Sequence, residues 1–111
     1  MRRMPPIALL QGTLELLILR TLALGPRHGV GIADRIAQVT HDAFHIKAGS
    51  LFPALQRLEN EGWIAGAWGE SPTGRPCKLY TLTKPGQKQL TEQKKSWERI
   101  ALAIQQVLQM S

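Results

Sequence analysis

The chain has a single cysteine among 111 residues, few aromatic residues and no long apolar run. Because Cys77 stands alone, an intramolecular disulfide is excluded, and no Cys pair or HExxH pattern indicates zinc. The longest apolar stretch, residues 14–24, is interrupted by Glu15, Arg20 and Thr21 and is shorter than the roughly 20 residues that span a bilayer. We therefore predict neither a disulfide scaffold nor a membrane protein.

A secretory leader is not expected at the amino terminus either. Arg2 and Arg3 resemble the basic start of a signal peptide, but Pro5 and Pro6 follow and Glu15 breaks the apolar segment. The sequence predicts a cytoplasmic protein, and its length fits one domain.

Acidic residues are too few to balance the basic ones. Fourteen Lys and Arg against eight Asp and Glu give a net charge of +6, which favours a polyanionic partner, nucleic acid before an anionic membrane. Six basic residues lie within residues 75–95 beside one acid, Glu92. No nucleophile and base, carboxylate pair or phosphate-binding loop is evident, so we predict neither an enzyme nor a cofactor.

Hydrophobic periodicity predicts two helices in the first 40 residues. The first, residues 11–24, carries one apolar stripe at Leu14, Leu17, Ile18 and Leu22 and another at Leu16, Leu19 and Ala23. A short chain rarely encloses a helix on all sides, so we expect Leu16 and Leu19 to contact another chain. A second, amphipathic helix is predicted after Gly29.

A polar connector and a third helix come next. Phe44 and Ile46 in residues 41–49 could form one short strand. Ser50 is expected to cap the third helix, with Pro53 in its first turn and Gly62 in the left-handed conformation after its end. The residues expected to face the core are Leu51, Ala54, Leu55 and Leu58.

The remaining elements are a hairpin and a long helix. Residues 64–68 and 77–82 are predicted strands, and the loop between them has a Gly-Arg-Pro tip. Thr83 is expected to cap a last helix that runs to about Met110. Its apolar seam, predicted to form a dimer interface, contains Leu90, Trp97, Ile100, Ile104 and Val107.

This order of elements predicts a mainly α fold with a small β-hairpin wing, namely a winged helix-turn-helix extended by a long C-terminal dimerisation helix. Residues 1–83 would form the DNA-binding domain. Residues 84–111 would form the dimerisation helix of the same compact domain.

Short motifs at characteristic separations support this interpretation. They are Leu10-Gln11-Gly12-Thr13-Leu14, His28-Gly29-Val30-Gly31-Ile32, Gly49-Ser50-Leu51-Phe52-Pro53-Ala54-Leu55, Arg57-Leu58-Glu59, Glu61-Gly62, Trp68-Gly69-Glu70, Gly74-Arg75-Pro76, Lys78-Leu79-Tyr80 and Leu82-Thr83, followed by Gly86, Leu90 and Trp97. In this order the chain resembles the PadR family of bacterial transcriptional regulators in its short form. Val30 and Phe52 depart from that pattern, since the family commonly has Tyr at both positions.

The resemblance implies a dimeric DNA-binding protein, usually a repressor, that dimerises through its last helix. Its third helix would enter the major groove, and its wing would touch the adjacent minor groove or the backbone. The candidate DNA contacts are Lys47, Ser50, Phe52, Pro53, Gln56, Arg57, Asn60, Arg75 and Lys78. The alternative is that these side chains form an ordinary solvated face.

Individual roles follow from side-chain chemistry. Gln56 suits an adenine edge, and Arg57 suits guanine or phosphate. Lys47 and Ser50 suit phosphates at the helix entrance, where they would position without specifying sequence. The Phe52 ring can pack on a sugar or a thymine methyl group.

Trp97 has two interpretations. It can pack within the dimer seam, or it can wall an apolar pocket for a small aromatic effector together with its symmetry mate, as the resemblance suggests. Metal binding by His28, His41, His45 and Cys77 is not favoured, because no carboxylate pair supports it. A redox role for Cys77 has no support in the sequence.

The leading functional hypothesis is a homodimeric regulator that binds double-stranded DNA, most simply a repressor of an inverted-repeat operator that an unknown ligand or signal releases. The alternative is a protein-interaction adaptor that keeps the winged-helix fold. Basic charge in residues 75–95 favours the regulator, because an adaptor has no need of it.

Overall fold

A computed structural model describes residues 11–111 of the protein. The elements are α1 (Gln11–Ala23), β1 (Arg27–His28), α2 (Gly29–Val39), α3 (Ala48–Asn60), β2 (Ile64–Glu70), β3 (Pro76–Leu82) and α4 (Lys84–Leu108). The predicted mainly α winged helix-turn-helix with a long last helix is confirmed. The segment around Arg2 and Pro5, which we interpreted as lacking a secretory leader, lies outside the described residues. Leu10 of the first motif lies outside them as well.

The sheet has three antiparallel strands in the order β1-β3-β2. β2 and β3 form the hairpin, with Ile64 opposite Leu82 and Trp68 opposite Lys78. β1 pairs Arg27 with Tyr80 on the other side of β3. The sequence does not indicate β1, because two residues are too few to show an alternating pattern.

The strand expected in residues 41–49 is wrong. His41 and Asp42 have φ values of 52° and 65°, in the left-handed region, so the chain turns sharply after α2. Phe44 then packs against the core, and Ile46 is buried in it. These two apolar residues anchor a connector between helices.

The helix α3 begins earlier than Ser50. Lys47 is its N-cap, and the N–H groups of Ser50 and Leu51 both donate to the Lys47 carbonyl, at 3.0 and 2.9 Å. Ser50 therefore lies inside the first turn and does not cap the helix. Pro53 lies in the second turn, where it cannot donate to the carbonyl of Gly49.

The core forms where α1 packs against α2, α3, α4 and β3. The predicted inward stripe of α3 is buried, and Gly62 has the expected positive φ, 78°. Leu19, which we expected at a contact with another chain, is 0% exposed within this core. That expectation is wrong for Leu19, because the neighbouring elements of its own chain already cover α1 on that side.

The helix α4 starts as the sequence predicts. Thr83 accepts a hydrogen bond from Gly86 N at 3.1 Å and donates to the Gly62 carbonyl at 2.6 Å. Leu90 is 5% exposed and belongs to the core of the protomer. The expectation that Leu90 lies at the dimer interface is therefore wrong, because the protomer itself covers this side chain.

Beyond Leu90, the apolar residues of α4 are exposed. The large ones are Trp97, Ile100, Leu102, Ile104, Val107 and Leu108, and Met110 after the end of the helix is exposed as well. Among residues 11–111, no helix combines the length and the apolarity needed to cross a membrane.

Candidate nucleic-acid interface

Phe52, Gln56 and Asn60 follow one another at one-turn intervals on the exposed side of α3. Gln56 Nε2 donates to Asn60 Oδ1 at 3.0 Å, so the two amides align each other along the helix. The ring of Phe52 is 47% exposed. This line of polar and aromatic groups offers donors, acceptors and an apolar surface at the spacing of a helix face.

Phe52 owes its position to Gly29 at the start of α2. A Cβ at Gly29 would stand 3.0 Å from Phe52 Cε1 and 3.3 Å from Leu55 Cδ1. The missing side chain therefore lets the Phe52 ring lie against the α2 backbone.

Three further sequence candidates lie at the beginning of α3. Lys47, Ser50 and Pro53 are all exposed. Lys47 and Ser50 lie at the amino-terminal turn, where backbone N–H groups and the helix dipole favour negative charge, and Pro53 follows in the second turn. This end of α3 therefore presents positive potential to solvent.

Arg57 is held by another helix. Its Nε donates to Glu15 Oε1 of α1 at 3.3 Å, and the Glu15 side chain is largely buried. The contact joins α3 to α1 across 42 residues of sequence. An arginine in such a pair is partly neutralised and less available to DNA than the sequence predicts.

The tip of the wing is a tight turn, residues 71–75, and is shorter than the predicted loop. Ser71 N donates to the Arg75 carbonyl at 2.8 Å, Arg75 N donates to Ser71 Oγ at 3.2 Å, and Gly74 has φ 81°. The turn thus fixes the backbone of Arg75 while its side chain is exposed. Within the described chain no carboxylate pairs with this guanidinium.

Lys78 lies on the side of the wing that faces α3. Its Nζ donates to Glu59 Oε1 at 2.7 Å and lies 5.8 and 5.6 Å from the ring centres of Trp68 and Tyr80. The hydrogen bond to Glu59 raises the pKa of Lys78, which stays charged but compensated. Lys78 therefore connects the wing to α3 and is not an unpaired cation.

The histidines and the cysteine do not gather into a metal site. His28 Nδ1 donates to the Lys78 carbonyl at 3.1 Å, and its Nε2 lies 3.7 Å from Cys77 Sγ. His41 and His45 are exposed. In residues 11–111 there is no group of three or more His, Cys, Asp or Glu side chains placed to hold a metal ion.

A concave surface lies between α1 and α4. It encloses about 370 Å³ and is lined by Leu16, Gln93, Trp97 and Ile100, among others. Gln93 Oε1 is buried there without a hydrogen-bond partner in the described part of the chain. Trp97 is 52% exposed at the edge of this cavity.

Two exposed hydrophobic residues were not predicted from the sequence to belong to these surfaces. Trp68 is 73% exposed on the wing, and Val30 is exposed at the start of α2. The alternation of β2 could have placed Trp68 on the same side as Lys78, because the two are cross-strand partners. Val30 has no such local signal.

Comparison with known proteins identifies relatives of this chain. The model of the "Transcriptional regulator PadR-like family" matches residues 18–92. An uncharacterised protein of Lysinibacillus sphaericus is 32% identical over 92 residues, which cover 83% of this chain and 84% of that protein.

Solved structures agree with this match. A transcriptional regulator from Clostridium thermocellum is 28% identical, with a TM-score of 0.80 over 86% of this chain and 93% of that one. A PadR family transcriptional regulator from Eggerthella lenta is also 28% identical, with a TM-score of 0.80 over 91% of this chain and 86% of that one.

Proposed function

Because the chain belongs to the PadR-like family of transcriptional regulators, we propose that it is a dimeric, cytoplasmic repressor that binds an inverted-repeat DNA operator. One observation carries this proposal. The exposed amides of Gln56 and Asn60 lie on α3, and the wing that carries exposed Arg75 at its tip is joined to α3 by the Lys78–Glu59 contact.

In this proposal α3 recognises bases and the wing supplies affinity. Gln56 would exchange its bond with Asn60 for the donor and acceptor of an adenine edge. Arg75 would enter the minor groove, whose negative potential attracts an unpaired guanidinium. Lys47 and Ser50 would contact phosphates beside the start of α3.

Arg57 and Lys78 take different roles from those that the sequence suggests. Each is already bonded to a carboxylate, Arg57 to Glu15 and Lys78 to Glu59. We assign both to positioning: Arg57 holds α3 on α1, and Lys78 holds the wing against α3.

The exposed apolar side of α4 would form the dimer with a second copy of the chain. Trp97, Ile100, Ile104 and Val107 lie on it, and Leu16 of α1 lies beside Trp97 at the α1–α4 cavity. A two-fold dimer presents two copies of α3, so it matches two half-sites in inverted orientation.

The α1–α4 cavity is the candidate site for an effector. Its apolar walls and Trp97 suit a small planar aromatic molecule. Since the cavity adjoins the proposed dimer contact, occupancy would alter dimer geometry and lower DNA affinity.

The test is selection of a binding site from a randomised duplex library with purified protein, followed by salt titration of the selected duplex. We expect a palindrome with a steep dependence on salt. Gln56→Ala should lose discrimination at one position of each half-site. Arg75→Ala should weaken binding to all sequences and reduce the salt slope by about 1.

Two variants serve as matched controls. Gln38 on α2 is also an exposed glutamine bonded within its own helix, in this case to Arg35, so Gln38→Ala controls for Gln56→Ala. Arg99→Ala on α4 removes the same charge as Arg75→Ala. Failure to enrich any sequence, with only weak binding at physiological salt, would contradict the repressor and support the adaptor, which would then bind its protein partner through α4.

A further inference from the structure

A cleft separates α3 from the wing on the proposed DNA-binding side. It encloses about 420 Å³, and its lining includes Phe52 and Gln56 of α3, Trp68 and Lys78 of the wing, and Val30 of α2. Its α3 and wing walls therefore continue into the two elements that the proposed function places on DNA. No part of the repressor mechanism described above uses the cleft itself.

Among the large hydrophobic side chains of the cleft, Trp68 is the most exposed. It lies directly across the hairpin from Lys78, and Lys78 reaches Glu59 of α3, so this side of the hairpin faces the recognition helix. Ala67 and Leu79, which pair with each other, lie on the opposite side. Trp68 is thus an apolar ring, 73% exposed, on the wall that faces α3.

Lys78, the one cation among the described residues that line the cleft, is paired with a carboxylate. Lys78 and Glu59 neutralise each other at 2.7 Å. The Tyr80 phenol, whose pKa burial raises above the ordinary 10.0, is uncharged at neutral pH. The exposed parts of Phe52, Trp68 and Val30 add apolar surface. Such a cleft suits a group with an apolar body and charges at its ends.

The geometry of the double helix identifies that group. A major groove and the adjacent minor groove are separated by one sugar–phosphate strand. When α3 enters the first and the Arg75 tip enters the second, that strand must pass between them. The deoxyribose is the apolar part of the strand, and the phosphates on either side carry its charge.

We propose that the cleft between α3 and the wing seats one sugar–phosphate strand of the operator, with Trp68 packed on a deoxyribose. The inference rests on the proposed DNA-binding function and adds a contact to it. Because sugars and phosphates are the same in every sequence, Trp68 contributes affinity and fixes the register of α3 without selecting bases.

The test compares substitutions on the two sides of the wing. Trp68→Ala should weaken binding about tenfold both to the selected operator and to an unrelated duplex, and Trp68→Phe should retain most of the affinity. Trp68→Glu and Ala67→Glu change the net charge equally, one residue apart. The first should lower affinity about a hundredfold because it brings a carboxylate to the phosphates, and the second only about threefold.

The outcomes separate this inference from the proposed function. If the unmodified protein binds no duplex, the DNA-binding function itself fails. If it binds but Trp68→Glu and Ala67→Glu weaken binding equally, or Trp68→Ala binds normally, the strand does not occupy the cleft. A change of sequence preference in Trp68→Ala would also overturn the proposal, since it would place Trp68 on a base. Circular dichroism and thermal unfolding of each variant verify that it is folded.

Discussion

Lys78 Nζ lies 2.7 Å from Glu59 Oε1, so one ion pair joins the wing to α3. Both side chains are about three-quarters shielded from solvent, which makes the contact less sensitive to salt than an exposed pair. The same contact neutralises a cation on the proposed DNA-binding side. The Glu59 carboxylate therefore stabilises the position of the wing and at the same time lowers the expected affinity for DNA.

Glu59→Gln should increase DNA affinity. Loss of the carboxylate leaves Lys78 as an uncompensated cation beside the cleft, so affinity should rise for all sequences and the salt slope should steepen by about 0.9. Salt titration by fluorescence anisotropy measures both effects. The control is Glu61→Gln, an equal change of charge at the exposed end of α3, which should have a smaller effect. Adding Lys78→Met should abolish the gain; if the gain persists, Lys78 is not its source.

Tyr80 should ionise above its ordinary pKa of 10.0. Burial raises the pKa of its phenol, although the charge of Lys78 opposes the shift. Because the pKa is raised in the folded state, the protonated phenol contributes to the free energy of unfolding. This contribution is complete below pH 10.0 and is lost as pH rises through the folded-state pKa. Tyr80 is the only tyrosine, so tyrosinate absorbance follows it alone.

The tyrosinate midpoint should lie above 10.0 in buffer and return to that value in denaturant. In Tyr80→Phe, the free energy of unfolding should fall less steeply at high pH. Lys78 loses its proton in the same range, because its hydrogen bond to Glu59 raises its pKa, so some decline should remain in that variant. A native midpoint at or below the ordinary value would contradict the burial of the phenol.

Leu90 and Ile104 occupy the same apolar seam of α4 but should have different functions. Leu90→Ala should lower the free energy of unfolding by about 2–5 kcal/mol, because it leaves a cavity in the core. Ile104 is 54% exposed, so Ile104→Glu should spare the folded protomer and weaken the proposed dimer.

Denaturation at several protein concentrations, together with sedimentation, separates the two effects. For Ile104→Glu we expect a shift toward monomer with far-ultraviolet circular dichroism unchanged. A fully dimeric Ile104→Glu protein would exclude this part of α4 from the interface.

Gly86→Ala should prevent α4 from packing in its present position. A Cβ at Gly86 would collide with the Trp63 carbonyl oxygen and would lie 2.7 Å from Leu82 Cδ1. Since the obstacle is backbone, relief requires movement of the helix, and we expect a loss of several kcal/mol, about 3 or more. The control is Gly31→Ala in α2, where nothing lies within 4 Å of the added carbon. Thermal unfolding should show a large fall for the first variant and little change for the second.

Local chemistry explains why most elements were predictable. Thr83 and Pro85 specify the start of α4, Gly62 permits the turn after α3, and the spacing of Leu51, Leu55 and Leu58 specifies which side of α3 is buried. Each of these signals acts within a few residues of itself.

The candidate DNA-binding side was predictable in composition but not in detail. The sequence placed Gln56 and Asn60 on an exposed helix face and Arg75 at the tip of the wing, and the structure has them there. It could not show that Gly29 makes room for Phe52 or that Trp68 faces α3, because each statement concerns two elements that meet only on folding.

By itself, the sequence determined the order of the helices, the hairpin and the basic character of the chain, because periodicity, capping residues and charge are properties of neighbouring residues. The tertiary structure alone decided that Leu19 and Leu90 belong to the core and that Arg57 and Lys78 are paired. The partners of both cations lie on other elements, so no local pattern encodes the contacts. Packing of α1, α3 and the wing brings each cation to a carboxylate, and the energy of an ion pair depends on that distance.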